Sequence, residues 1–361
     1  MDSRYLPQLD GLRFFAILSV MIGHWFQWQV NNEIFSKIPF AHGVLLFFVL
    51  SGFLITRILL IEKDNVEKAA TSKKKLLINF YVRRFIRIMP IYYLTVLLMY
   101  IINYQQARAL TPWLLTYTSN IYQSINNCYV GGFTHFWSLA VEEQFYLFWP
   151  LLILFVTKEK ILKVIVITIM LSLFSRFIFV FLIDMPYATD FFTTNVLFAL
   201  AFGGGLAYLH VFKPSLAFKI AKNRFYLPIS ILTYIIFSVF FHYYGISTYF
   251  PLFDQFLFSI VMFFVVAKAS TSDFTGIFKW LLTNKYSIYL GKISYGLYVF
   301  HLFIPDFFWF MQPKWGLVAT NKYMACLLYF GLSVAFAHLS WELIEKPINL
   351  LKSRFQYSQK S

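Results

Sequence analysis

The chain has 361 residues, of which 59% are hydrophobic and only 13% charged, with 45 phenylalanines. That balance excludes a water-soluble globule, in which about a quarter of residues are charged. A formal net charge of +15 would suit nucleic acid, but the lysines and arginines fall in the gaps between apolar runs, where they read as topology signals, so no nucleic-acid partner is expected.

Ten apolar stretches reach the length needed to cross a bilayer as a helix, about 17 to 25 residues. In chain order they are Leu12–Val30, Gly43–Ile61, Ile86–Tyr104, Leu139–Val156, Ile161–Ile183, Phe192–Phe212, Tyr226–Tyr244, Leu252–Ala269, Tyr286–Pro305 and Met324–Ile344. The expected fold is therefore all-α and polytopic. Setting the amino terminus in the cytoplasm places Arg57–Arg87, Lys158–Lys163, Lys213–Arg224, Lys268–Lys285 and the stretch after Glu345 there too. Only Lys37, Arg108, Lys314 and Lys322 then lie opposite, as the positive-inside rule requires. Both termini are expected in the cytoplasm, in a multi-pass protein of the inner (plasma) membrane in contact with its lipids.

The first stretch reads as a retained span, being too long for a signal peptide and lacking a small-x-small cleavage site before Asn31. One membrane domain over residues 1–350 and a short cytoplasmic tail over 351–361 are expected, with no appended soluble domain. The charged segment Glu62–Lys75 reads as a mobile loop. Gln105–Phe136 is aromatic enough to pack against the helix ends. Cys128 and Cys326 are widely separated and suggest neither a disulfide framework nor a metal site.

Arg13 and His24 share the first span, eleven residues apart. That is close to three helical turns, so they project from nearly one face, separated by roughly 16 Å. An ionisable group inside a bilayer costs about 2.5 kcal/mol or more, which makes the aligned pair a candidate functional site. The plainer alternative has Arg13 snorkelling to the headgroups and His24 bonded to a neighbouring helix. Arg83, Arg84 and Arg87 form a second cluster three and four residues apart, a compact guanidinium patch. Guanidinium forks suit phosphate oxygens, whether of a ligand or of lipid headgroups. A third group, Glu142 and Glu143, opens the fourth span. Adjacent helical residues point about 100° apart, so the two carboxylates are expected to serve different roles, one facing the interior at the depth of His24 and the other a neighbouring helix or the mouth. The alternative for one of them is charge at the helix N-terminus, with Ser138 as cap.

Asp10 reads as a structural partner for a mouth arginine, and Arg176 as a cation that must face a carboxylate or a cavity. His42, His135 and His301 read as hydrogen-bonding structural residues. Gly203, Gly204 and Gly205 are expected to allow close helix packing.

The stretch Gln8-Leu-Asp-Gly-Leu-Arg13 with His24 resembles the opening motif of the membrane acyltransferase-3 family. The resemblance continues through Phe47–Thr56, Arg83–Pro90, Phe136–Tyr146, Ile293–His301 and Glu345-Lys-Pro347 in the same order, and covers the whole chain. It implies a ten-helix enzyme that moves an acyl group, usually acetyl, from cytoplasmic acyl-CoA to a hydroxyl of a carbohydrate, which can be lipid-linked. Lipopolysaccharide O-antigen and exopolysaccharide are among the family's acceptors. On that reading Arg13, Arg83, Arg84 and Arg87 hold the phosphates of the donor and no metal is needed. His24 is then a general base or is itself acylated, and Glu142 or Glu143 orients it. A glycan flippase using the same cavity is the alternative, although no inverted repeat is visible to support it.

Overall fold

The computed structural model describes residues 5–29, 39–69, 72–183, 185–244, 250–315 and 321–355. Among them every regular element is a helix. The frame consists of α1 (Pro7–Gln29), α2 (Gly43–Ala69), α3 (Lys73–Ile101), α4 (Phe136–Phe155), α5 (Lys158–Ile178), α6 (Thr193–Phe212), α7 (Tyr226–Tyr243), α8 (Phe250–Ser270), α9 (Lys285–Lys292), α10 (Ser294–Phe300), α11 (Ile304–Trp315) and α12 (Lys322–Ser340). Eight helices among the described residues are long and apolar enough to cross a membrane. A ninth is added if the segments Pro214–Lys222 and Tyr226–Phe241, bent by 62°, form one span. The chain is thus an all-α polytopic membrane protein. Val30, Lys37 and residues 356–361, used in the topology argument, lie outside the described residues.

Two expectations are corrected. The segment Glu62–Lys75 is not a simple loop, because α2 continues to Ala69 and α3 begins at Lys73. Its charges are engaged: Lys63 donates to the carbonyl oxygens of Ile153, at 2.9 Å, and Val156, while Lys158 bridges Asp64 and Glu67 at 2.9 and 2.8 Å. Helices can outrun the apolar core when lysines satisfy a neighbour's last carbonyls in this way. The expected span Tyr286–Pro305 is broken into α9, α10 and the start of α11. Pro305 has no N–H, so the carbonyl of His301 one turn earlier loses its helical donor, and the helix breaks here, although α3 and α4 run through Pro90 and Pro150. Irregular backbone of this kind is tolerated at membrane depth only where protein groups satisfy it.

Close approach of backbones sets the packing. α2 lies along α6, where a Cβ on Gly52 would sit 1.9 Å from the carbonyl oxygen of Leu200 and one on Gly203 would sit 2.1 Å from that of Val49. α1 meets α9 in the same manner, through Gly291 against the carbonyl of Asp10. Without water to drive association, such small-residue contacts bring helices together by van der Waals packing and carbonyl contacts. The expected packing role of Gly203 is met. The segment between α3 and α4 caps the bundle through Tyr117, whose ring stacks on Tyr92 at 4.2 Å between centroids.

Candidate functional site

Two cavities inside the bundle lie side by side, with lining residues in common. The first, about 100 Å³, is lined by Arg13, Ser51, Arg84, Arg87, Ser138, Glu142, Glu143, Tyr146 and Tyr295, among others. The second, about 510 Å³, is lined by His24, His42, His135, Trp137, Tyr129, Asp190 and Gln255, with apolar neighbours. Val44 of α2 and Tyr298 of α10 line both.

The arginine cavity follows from helix register. Arg13 stands one turn from Asp10, and its Nη1 meets the carboxylate at 2.5 Å, the partner expected for a mouth arginine. Arg84 and Arg87, three apart on α3, enter the same space. Arg84 rests against the rings of Phe80 and Tyr146, 5.6 and 5.9 Å from their centroids, and its buried Nε has no hydrogen-bond partner. Arg83 is turned away. Its Nη1 donates to the carbonyl oxygens of Lys352 and Phe355, at 2.9 and 3.2 Å, so it ties the end of the described chain to α3.

Glu142 and Glu143 also line the arginine cavity. Glu142 accepts a hydrogen bond from Ser51 Oγ at 2.7 Å, and Oε1 of Glu143 is buried without a partner. The expectation that one of them stands at His24 is not what the structure shows. α4 starts beside His135, and seven further residues carry the chain about 10 Å along the axis. His135 therefore occupies the depth of His24, and the carboxylates fall below it with the arginines.

What meets His24 is a second imidazole. His24 Nδ1 lies 2.9 Å from His301 Nε2, and the rings are nearly parallel, 9° apart. His301 is wholly buried. Its Nδ1 is 2.7 Å from the carbonyl oxygen of Tyr298. His135 packs against it with ring centroids 4.8 Å apart and reaches the carbonyl of Val299 at 3.1 Å. Trp25 Nε1 donates to the carbonyl of His301 at 3.1 Å, the group that Pro305 leaves without its helical donor. The carbonyls at the broken end of α10 are thus bonded by imidazole and indole nitrogens, and the break in the helix is what builds the histidine cluster. Tyr298 closes the arrangement: its hydroxyl is 2.5 Å from Ser138 Oγ and donates to the carbonyl of His135 at 3.0 Å.

On the far wall of the histidine cavity, the fully buried Arg176 meets Asp190 at 3.2 Å and donates to Gln255 Oε1 at 3.1 Å. The carboxylate expected for this cation is Asp190. His42 pairs with Asp254 at 2.6 Å, and Tyr234 donates to the other oxygen of Asp254 at 2.9 Å. Sequence reasoning missed Asp254, although a lone carboxylate in an apolar stretch was signal enough. It also missed the His24–His301 contact, which joins residues 277 positions apart.

In this helical membrane protein a cavity lined by arginines and a cavity lined by histidines thus share two lining residues. The chain belongs to the acyltransferase-3 family, whose model, described as an acyltransferase domain, matches residues 6–342. It is 29% identical over 371 residues to the peptidoglycan O-acetyltransferase OatA of Listeria monocytogenes, covering 96% of this chain and 56% of that protein. It is 29% identical over 374 residues to the O-acetyltransferase OatA of Staphylococcus aureus, covering 96% and 57%. A putative O-acetyltransferase of S. aureus strain COL is 30% identical over 381 residues, covering 95% and 57%. The chain thus spans a little over half the length of these relatives. No solved structure matches it.

Proposed function

We propose that this chain is a membrane O-acyltransferase that transfers an acyl group, acetyl in the first instance, from acyl-CoA to a hydroxyl of a cell-surface carbohydrate. The observation that carries the reading is that the two cavities share Val44 and Tyr298 in their linings, with guanidinium groups in one and His24 in the other. Arg13, Arg84 and Arg87 take the donor's phosphates, since guanidinium forks bind phosphate bidentately and stay charged. The unpartnered Nε of Arg84 supports that role. Glu142, bonded to Ser51, and Glu143 line the same cavity, and Oε1 of Glu143, buried without a partner, would accept an amide N–H of the pantetheine arm. Arg83 serves the fold.

The acceptor enters the histidine cavity, where Trp137 and Tyr129 offer ring faces for a sugar and Asp190 and Gln255 offer hydrogen-bonding groups. His24 removes the proton from the acceptor hydroxyl as its oxygen attacks the thioester carbon. The carbon–sulfur bond then breaks, and the proton passes from His24 to the departing CoA sulfur. General-base help of this kind contributes typically about 10²- to 10⁴-fold. The names of the relatives favour a cell-wall glycan as the acceptor, with lipopolysaccharide and exopolysaccharide as further members of the class. The arginine cavity faces the cytoplasm of the plasma membrane, consistent with the distribution of basic residues.

The test uses the purified full chain in proteoliposomes with labelled acetyl-CoA and glycan fragments as acceptors. Label should move to the glycan in wild type and fall by at least about 10²-fold in His24→Ala. Undiminished transfer by His24→Ala would remove the assigned base. Movement of an unmodified lipid-linked glycan without donor would make the chain a flippase.

A further inference from the structure

We propose that His301 is a positioning residue that fixes the tautomer of His24, using a backbone carbonyl where other acid–base sites use a carboxylate. The inference rests on the acyl-transfer reading above. It starts from the carbonyl oxygen of Tyr298, which can only accept. His301 Nδ1, 2.7 Å away, therefore carries a proton. A neutral imidazole protonated at Nδ1 has its lone pair at Nε2, and that nitrogen faces His24 Nδ1 at 2.9 Å. Two lone pairs at this distance repel, so His24 Nδ1 carries the hydrogen between them. The lone pair of His24 then resides on Nε2, the atom that must take the acceptor's proton.

The competing arrangement makes His301 an imidazolium and reverses the bond. That requires a cation in a wholly buried position whose ring nitrogens face a carbonyl and a second imidazole, with His135 packed alongside. Neither hydrogen-bond partner is an anion, and a buried charge without one is costly. The neutral chain is the stable one. It also suits the reaction. When His24 gains a proton at Nε2, its Nδ1–H becomes a charge-assisted donor to His301, so the bond strengthens as the transition state forms. The register of the chain is fixed from below as well, because Trp25 Nε1 holds the carbonyl of His301 that Pro305 leaves without a helical donor.

Two measurements test this. Nitrogen-15 NMR of the histidine-labelled full chain, with the His24 signals assigned by difference against His24→Ala, should show a protonated Nδ1 and a lone-pair Nε2. The opposite pattern overturns the proposal whatever the activity. In the proteoliposome assay, His301→Phe keeps the ring and removes the acceptor, and should lower kcat on the order of 10³-fold with donor KM within about twofold. His301→Gln restores an acceptor oxygen and should recover at least about tenfold of that loss. Combined with His24→Ala, His301→Phe should cost nothing further, because it acts through His24. Equal damage in Phe and Gln variants, or losses that add to that of His24→Ala, would reduce His301 to a packing residue. Failure of His24→Ala to lose transfer would instead remove the parent reading.

Discussion

Replacing Gly52 by alanine tests the claim that backbone contact between α2 and α6 holds the site together. The added Cβ would lie 1.9 Å from the carbonyl oxygen of Leu200, where real Cβ atoms essentially never come within 3.0 Å. The obstacle is backbone, not a side chain that can swing aside, so the helices must part by about 1 Å or more, and overpacking of this kind costs about 1–3 kcal/mol. Ser51, the preceding residue, holds Glu142 at 2.7 Å in the arginine cavity, and misplacing groups that position a substrate by 1 Å can cost about 10²-fold in rate. Gly331, exposed on α12 with nothing within 4 Å of its would-be Cβ, is the matched control. Alanine there should be neutral or stabilising by up to about 1 kcal/mol, through reduced backbone freedom. Thermal unfolding of the detergent-solubilised chain, read by tryptophan fluorescence, measures both, and transfer activity is assayed in parallel. A Gly52→Ala protein that unfolds no earlier than Gly331→Ala and transfers at the wild-type rate would refute the packing argument.

Three further outcomes are expected. Arg84→Ala should raise donor KM by about 10- to 100-fold, the worth of one charge-assisted contact, whereas Arg83→Ala should leave donor KM unchanged; titration with acetyl-CoA separates them. Arg176→Leu removes a wholly buried cation from Asp190 and Gln255 but leaves an Asp190 side chain that is 47% exposed, so it should cost about 1–3 kcal/mol, seen as earlier unfolding, with partial recovery when Asp190→Asn is added. Lys158→Ala breaks two partly exposed ion pairs, with Asp64 and Glu67, and should change stability by less than about 1 kcal/mol; a larger shift in the same unfolding assay would show that the α2–α5 contact is carried by those charges.

Where composition and local pattern suffice, the amino-acid sequence was decisive. Apolar runs long enough to span a bilayer defined the class, because the cost of exposing polar backbone to lipid leaves helices as the simplest solution. Spacing on a single helix was equally legible: Asp10 and Arg13 are one turn apart and do pair, and Arg84 and Arg87 do share one cavity. The three glycines of α6 announced a close contact and Gly203 makes one. What local spacing cannot reveal is which helices become neighbours and where along each axis they meet. One of Glu142 and Glu143 was expected level with His24, but the start of α4 at His135 shifted the carboxylates about 10 Å toward the arginines. The break before Pro305 was hidden inside an apolar run that reads as one span, since hydropathy records burial in lipid and not the fate of individual carbonyls. Only the folded chain brings His301 to His24, 277 residues away, with the carbonyl of Tyr298 behind it, a relation that exists in space and has no trace in the order of residues.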